Sequence, residues 1–480
     1  MSVADLPGPR PAADRLTHSW SGTRPTGTQG AGGSPADVRG GDLIYPGRTS
    51  LPAGGNGEGP PVEQVDGQHL RVGDRWLVDF EGGGHLGLDA DPELLEAVLR
   101  ASRDWGLTTR RAPLSAPGRL HRDVEERLAA VLRMPSVMVV PSIAELHLAA
   151  VPAIVGQGWV FVDDQVHRTL YEAAQISRAA GATLRRFRTG DLHTLDRLLR
   201  SATAHAPRLI CTAGVDGVTG EVPDLSGLVH LAREHGALLY VDDPHGFGLV
   251  GDRLPGDWLP YGRSGNGLVR HLGLDYEGLL LAGEFSPSFA TSLAFLAAPA
   301  RLRDHLEIAA GPSLSRIRLS TPALAAAQAG MEINTRRGDA IRERLYRSTV
   351  RVLEVGHEAG LVRAGASGLP LVHIPLPDDH TAGATEAATS SAAQVAALAR
   401  LGAVDLASAA QLCAMVDHLR KAGIRVGLTA YPAPPLHEAG LRIRITASHT
   451  EEDLELLCSA LAGLAERLPT RPVRVGAALG

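Results

Sequence analysis

An apolar run, Ala237-Leu238-Leu239-Tyr240-Val241, leads directly into Asp242-Asp243-Pro244-His245. Such a run, bounded by turn residues, reads as a buried strand, with Asp242 and His245 at its carboxyl end. A carboxylate and an imidazole held together there are groups that bind and protonate ligands. The plainer alternative is an aspartate that caps a loop. The next residues, Gly246-Phe247-Gly248-Leu249-Val250-Gly251, fit the GxGxxG pattern. A dinucleotide fingerprint must also open a helix, and here Asp252-Arg253-Leu254-Pro255-Gly256 breaks one, so a glycine-rich loop is the better account. Lysine chemistry is almost closed to this chain. Of its 47 Lys and Arg residues, Lys421 is the only lysine, so a mechanism that needs an amine side chain has Lys421 or nothing. Cys211, Cys413 and Cys458 are far apart and show no metal-binding spacing, which excludes a disulfide scaffold or zinc ribbon and suits a reducing, cytoplasmic compartment.

The elements that must position these residues alternate between helix and strand. A hairpin is expected over Gln68–Phe80, turning at Val72-Gly73-Asp74-Arg75. Helices follow from Asp91-Pro92-Glu93, where Asp caps and Pro starts the first turn, and over Arg119–Leu132, with Leu120, Val124, Leu128 and Val131 on one face. Short apolar strands come next at Val137–Val140, Trp159–Val162, Leu209–Cys211 and Ala237–Val241, separated by helical patterns such as Leu192–Arg200 and Leu225–Glu234. That alternation implies a parallel sheet covered on both faces. After about residue 320 the pattern changes to a long helix (Pro322–Ala359), a strand (Leu369–Ile374), a Thr/Ala/Ser-rich loop (Asp378–Ser391), a helix (Ala409–Ala422), strands (Arg425–Thr429 and Leu441–Thr446) and a last helix from Thr450. This reads as a smaller α+β domain. Residues 21 to 60 hold 12 Gly and 5 Pro, too little apolar surface to offset chain entropy, so residues 1–60 are expected to be disordered. The net charge of −6 gives no basic surface for nucleic acid. No apolar stretch reaches the ~18 residues of a membrane span, and the opening residues lack the features of a signal peptide.

Several segments, in order, resemble the α-oxoamine synthases. This is the pyridoxal-phosphate (PLP) dependent, fold-type-I family that includes 8-amino-7-oxononanoate synthase and serine palmitoyltransferase. Ala237 to Gly248 is similar to the family's VDEAHGxG strand end, and Ser115 to Leu128, with His121 and Glu125, to its SGTxxxHxxLExxLA helix. Asp163 to Thr169 is similar to DELNHAS, Arg188 to Asp191 to the HND turn, and Thr212 to Leu225 to TEGVxSMDGDxxPL. Leu441-Arg442-Ile443, closed by His449 to Asp453, is similar to LRI…HTEED. The resemblance implies an α/β, aminotransferase fold of type I. A large domain with a mostly parallel, seven-stranded sheet between helices (106–320) would follow an N-terminal arm (61–105) and precede a smaller α+β domain (321–470). It also implies roles. Asp242 would pair with the pyridine nitrogen and make the ring an electron sink. His245 would bond the phenolic oxygen and His167 would stack on the ring. Ser142 would lie at the cofactor's phosphate turn, and Arg442 would clamp the substrate carboxylate through its planar fork.

The departures from the family carry the function. Pro287 stands where the Schiff-base lysine of GTFSK should be, and proline has no amine. Glu284 replaces the phosphate-contacting Thr. A carboxylate about 4 Å from a phosphate charge costs roughly 4 kcal/mol at an effective dielectric of about 20, about a thousandfold in affinity. The phosphate turn SGYxAN reads Ser142-Ile143-Ala144-Glu145-Leu146-His147, which brings a second acid, and GxGxGGSR reads Gly106 to Pro113. PLP is therefore not expected as an internal aldimine; noncovalent PLP or pyridoxamine phosphate, or no cofactor, remain, and no metal site is expected. Three functions follow. The first is a catalytically silent subunit, a homodimer or a heterodimer with a lysine-bearing homologue. The second is an unorthodox enzyme that uses His167, His245 and Glu284 without covalent PLP. The third is a small-molecule sensor.

Overall fold

A computed structural model describes residues 61–109, 118–310, 318–362, 366–376, 406–429 and 439–468. The N-terminal 1–60 segment, the loop Asp378–Ser391 and the second half of Gly106–Pro113 lie outside the described residues.

The first three strands, β1 (Val62–Asp66), β2 (His69–Val72) and β3 (Arg75–Asp79), form an antiparallel meander, with β2 and β3 joined by the expected tight turn. Helix α1 (Pro92–Trp105) begins where Asp91 accepts the N–H groups of Glu93 and Leu94, satisfying two donors that a helix start leaves open. Helix α2 (Arg119–Leu132) buries Val124 and Leu128.

The large sheet is built from β4 (Val137–Val140), β5 (Trp159–Asp163), β6 (Thr183–Phe187), β7 (Arg208–Ala213), β8 (Leu238–Asp242), β9 (Leu279–Glu284) and β10 (Ala294–Ala297). Its order is β4-β10-β9-β8-β7-β5-β6. Seven strands are present, and only β10 runs antiparallel to its neighbours. The strands are apolar on both sides because helices cover both faces: one core holds Val139, Phe161, Ile210 and Val241, the other Val140, Val160, Cys211 and Tyr240. Helices α3 (Ile143–Val155) and α4 (Arg168–Ala179) follow β4 and β5, and so begin at the carboxyl edge of the sheet, where open α/β sheets place their ligands.

The long helix Thr321–Glu358 connects this body to the small sheet. Its Arg342 is fully buried and donates to Gly248 O (2.9 Å), Asn334 Oδ1 (2.6 Å) and Asp339 Oδ1 (2.5 Å). No helix opens at the glycine-rich loop; residues 252–267 after it are not helical. Gly248 adopts φ +83, and a Cβ there would overlap Ser288, so this glycine serves close backbone packing.

The tail departs from the sequence reading in one respect. A single strand was expected over Arg425–Thr429, but two form and they join different sheets. β12 (Ile424–Arg425) pairs in parallel with β3, and β13 (Gly427–Thr429) pairs with β14 (Gly440–Arg444), which also pairs with β11 (Leu371–Pro375). The chain crosses at Val426, so β12, from the C-terminal part of the chain, completes a four-stranded sheet with β1, β2 and β3. Sequence periodicity cannot reveal a change of partner between adjacent residues. The last helix, Glu451–Ala465, starts on a capping box of Thr450 and Asp453, as its sequence signals.

Candidate active site

The two aspartates that end β8 divide into different tasks. Asp243 is 1% exposed, and its carboxylate accepts the N–H groups of Val215 (3.1 Å), Gly246 (3.0 Å) and Leu268 (3.2 Å). It ties three loops together. Burial pushes its carboxyl above the usual carboxylate range, against those hydrogen bonds. Asp242, 4% exposed, faces a different group: its Oδ1 lies 3.5 Å from Nε2 of His147, a fully buried residue of α3, a contact that makes no hydrogen bond. The capping role weighed for a strand-end aspartate thus falls to Asp243, and Asp242 is left to the site.

A polar chain leads outward from Asp242. His147 Nδ1 is 3.1 Å from Thr169 Oγ1, which is 2.8 Å from Nδ1 of the exposed His167. His167 caps α4, its side chain accepting the Thr169 N–H. Two residues proposed from the sequence, Asp242 and His167, are therefore connected through two that it did not single out, His147 and Thr169. The available signal was a histidine inside an apolar helix, a residue that needs a partner when buried.

Glu284 ends β9, the strand beside β8, and is half-buried. Burial, with the neighbouring Asp242 charge, raises its carboxyl above the ordinary range, while a Ser286 hydrogen bond and His147 oppose this. Ser142 precedes α3 with extended backbone and makes no side-chain cap; Glu145 lies in the first turn of that helix. Pro287 is buried in the short helix Ser286–Phe289, and its carbonyl accepts the backbone N–H of His85 (2.5 Å).

His85 belongs to the glycine-rich loop after β3 and is fully buried. Its Nε2 lies 3.3 Å from Nδ1 of His245. Burial, then the charges of Arg444 and Arg442, push the His245 imidazole down to about 3, and burial with His245 and Arg444 depresses His85 strongly. Both rings are therefore neutral at physiological pH. A Cβ at Gly217 would come within 2.5 Å of His245 Nε2, so a residue without a side chain gives that ring its place. Arg442 and Arg444 lie on β14, both half-buried. Burial and Arg442 draw the Arg444 guanidinium down to about 10. His85 and Arg444 also went unnoticed in the sequence, because one lies far from the site in the chain and the other follows a motif that ends at Ile443.

The arrangement is a cluster with an acidic end (Asp242, Glu284) and a basic end (Arg442, Arg444), and the two neutral imidazoles lie in the field of Arg444. It can orient an ionised ligand and exchange protons with it. Lys421 is exposed at the end of the helix Leu406–Lys421. Among the described residues, one carboxylate–histidine cluster could be mistaken for a metal site, Asp196-Glu234-His235; Arg200 pairs with both of its carboxylates (3.0 and 3.5 Å). No helix among the described residues is long and apolar enough to cross a membrane.

Comparison with known proteins places the chain. The sequence profile described as "Aminotransferase class I and II" matches residues 79–461. An 8-amino-7-oxononanoate synthase from Chromohalobacter salexigens is 30% identical over 388 residues, covering 80% of this chain and 89% of that protein. One from Pseudomonas fluorescens is 30% identical over 419 residues, covering 86% and 94%. Among solved structures, the fold is similar to serine palmitoyltransferase of Sphingomonas wittichii (TM-score 0.71, 20% identity, 85% of this chain and 92% of that one). It is also similar to 8-amino-7-oxononanoate synthase of Francisella tularensis (TM-score 0.61, 17% identity, 81% and 98%). With the seven-stranded sheet and the residues at its carboxyl edge, these matches identify the chain as a fold-type-I member of the class I and II aminotransferase family, in its α-oxoamine synthase group.

Proposed function

We propose that this protein is an α-oxoamine synthase relative that does not carry out lysine-borne PLP chemistry, and that it acts as a catalytically silent subunit, in a homodimer or with a lysine-bearing homologue. The observation that carries the reading is the sequel to β9: Pro287 is buried there against His85, and the chain's one lysine is exposed on a helix of the small domain. The fit to PLP is uneven. The covalent end has no amine. The phosphate end holds Glu284 and Glu145, which repel an anion. The ring end fits better, since a buried carboxylate paired with an imidazole suits a protonated ring nitrogen.

A second reading, an unorthodox enzyme without covalent PLP, is favoured by the polar chain from Asp242 to His167. In that reading Glu284 holds a proton at the end of β9, neutral His245 accepts one, and Arg442 orients a ligand carboxylate. A subunit with an idle pocket has no use for buried ionisable groups that cost desolvation energy.

The test is borohydride reduction of the purified chain with PLP, read by peptide mass. In the natural chain no phosphopyridoxyl-lysine can form at any position but the exposed Lys421. Pro287→Lys should gain one at position 287, and Glu284→Thr added to it should tighten PLP binding by up to about a thousandfold. A reduced adduct on Lys421 that tracks with turnover would overturn the proposal.

A further inference from the structure

Arg444 is a second guanidinium beside the one read as the carboxylate clamp. Arg442 and Arg444 are two apart on β14, so their side chains leave the same face of the strand, while Leu441 and Ile443 are buried on the other. The Arg444 backbone N–H donates to Phe80 O (2.7 Å) and its Nη1 to Gly83 O (3.3 Å), which holds the guanidinium beside the loop that carries His85. Its Nε is buried with no hydrogen-bond partner among the described residues, and the same is true of His85 Nδ1. The acids in its field are engaged elsewhere. Arg425 holds Glu81 at 2.8 Å, Asp79 accepts the N–H groups of Glu81 and Gly82, and Asp89 accepts that of Gly84. The His85–His245 pair, 3.3 Å apart, lies within the field of the Arg444 charge.

We propose that Arg444, with the His85–His245 pair, forms a second anion subsite, so that the pocket takes a ligand with two anionic groups, one on Arg442 and one on Arg444. The proposal rests on the reading of Arg442 as a carboxylate clamp. Residues two apart on a strand are separated by about 6.6 Å, a spacing that suits a short dicarboxylate of about five or six carbons. A carboxylate or phosphate would accept from the open Nε of Arg444 and from an imidazole N–H.

Calorimetric titration of the full chain with glutarate and with butyrate separates the two sites. Glutarate should bind at least about tenfold more tightly, the worth of one charge-assisted contact. Arg444→Gln should bring glutarate down to the level of butyrate and leave butyrate unchanged, Arg444→Lys should keep part of the preference, and Arg442→Gln should weaken both ligands. Should Arg444→Gln not fold, imidazole resonances of the natural chain give the same decision: glutarate, and not butyrate, must shift both His85 and His245. Equal binding of the two ligands, no binding of glutarate, or an Arg444→Gln variant that holds glutarate as the natural chain does would overturn the second subsite. Butyrate binding untouched by Arg442→Gln would instead overturn the reading of Arg442.

Discussion

The pairing of His147 with Asp242 can be weighed by a double-mutant cycle. Both side chains are buried, at 0% and 4% exposure, with Nε2 and Oδ1 3.5 Å apart. With both groups charged, that separation gives a gross attraction of about 5 kcal/mol at an effective dielectric of about 20. Much of it is offset by desolvation, yet removal of one partner leaves the other's penalty in place. His147→Ala strands a buried carboxylate and should cost about 3–5 kcal/mol. Asp242→Asn keeps the shape and leaves the imidazole in contact with Thr169, and should cost about 1 kcal/mol. The double variant has no charge left to strand, so its cost should fall short of the sum by about 2 kcal/mol. Urea unfolding of the four proteins at neutral pH reads this directly. Additivity within about 0.5 kcal/mol would refute the coupling, and Asp242 would then be held by something other than His147. Turnover of the same variants separates the two functional readings. A silent subunit should leave its partner's activity almost untouched when Asp242 is replaced, whereas an enzyme that uses the pocket should lose its own.

Glu284 predicts a pH dependence. Because burial and Asp242 raise its folded-state pKa, the folded chain holds that proton more tightly than the unfolded one. Its contribution is complete below the unfolded value of about 4.3 and is lost as pH rises through the folded value. Glu284→Gln should therefore raise the melting midpoint at neutral pH and leave it unchanged below about pH 4; equal effects at both would count against the assignment. Arg342→Met should cost about 3–5 kcal/mol in urea unfolding, because it removes the shared donor of Gly248 O, Asn334 and Asp339 from a fully buried position. Arg342→Lys should recover less than half of that, since an ammonium cannot reach all three acceptors in one plane.

Much of this protein was legible in the sequence, because the information is local. Short continuous apolar runs located β4, β5, β7 and β8, period-3.6 patterns located helices such as Leu192–Arg200 and Leu225–Glu234 between them, and cap residues marked helix starts. Asp91, and Thr450 with Asp453, start helices where their spacing says they should. The order of motifs gave the fold and family, and it put Asp242, His245, His167, Glu284, Pro287 and Arg442 on the elements around the sheet's carboxyl edge. Tertiary structure alone decided which groups meet. His85 reaches His245 across 160 residues, and Arg444 reaches the His85 loop across 361; no periodicity encodes such separations. Of two adjacent aspartates, only packing could make Asp243 a loop anchor and leave Asp242 facing His147. The split of residues 424–429 between two sheets has the same cause. Strand propensity is a property of the segment, but the choice of partner strand belongs to the surfaces that long-range folding brings alongside it.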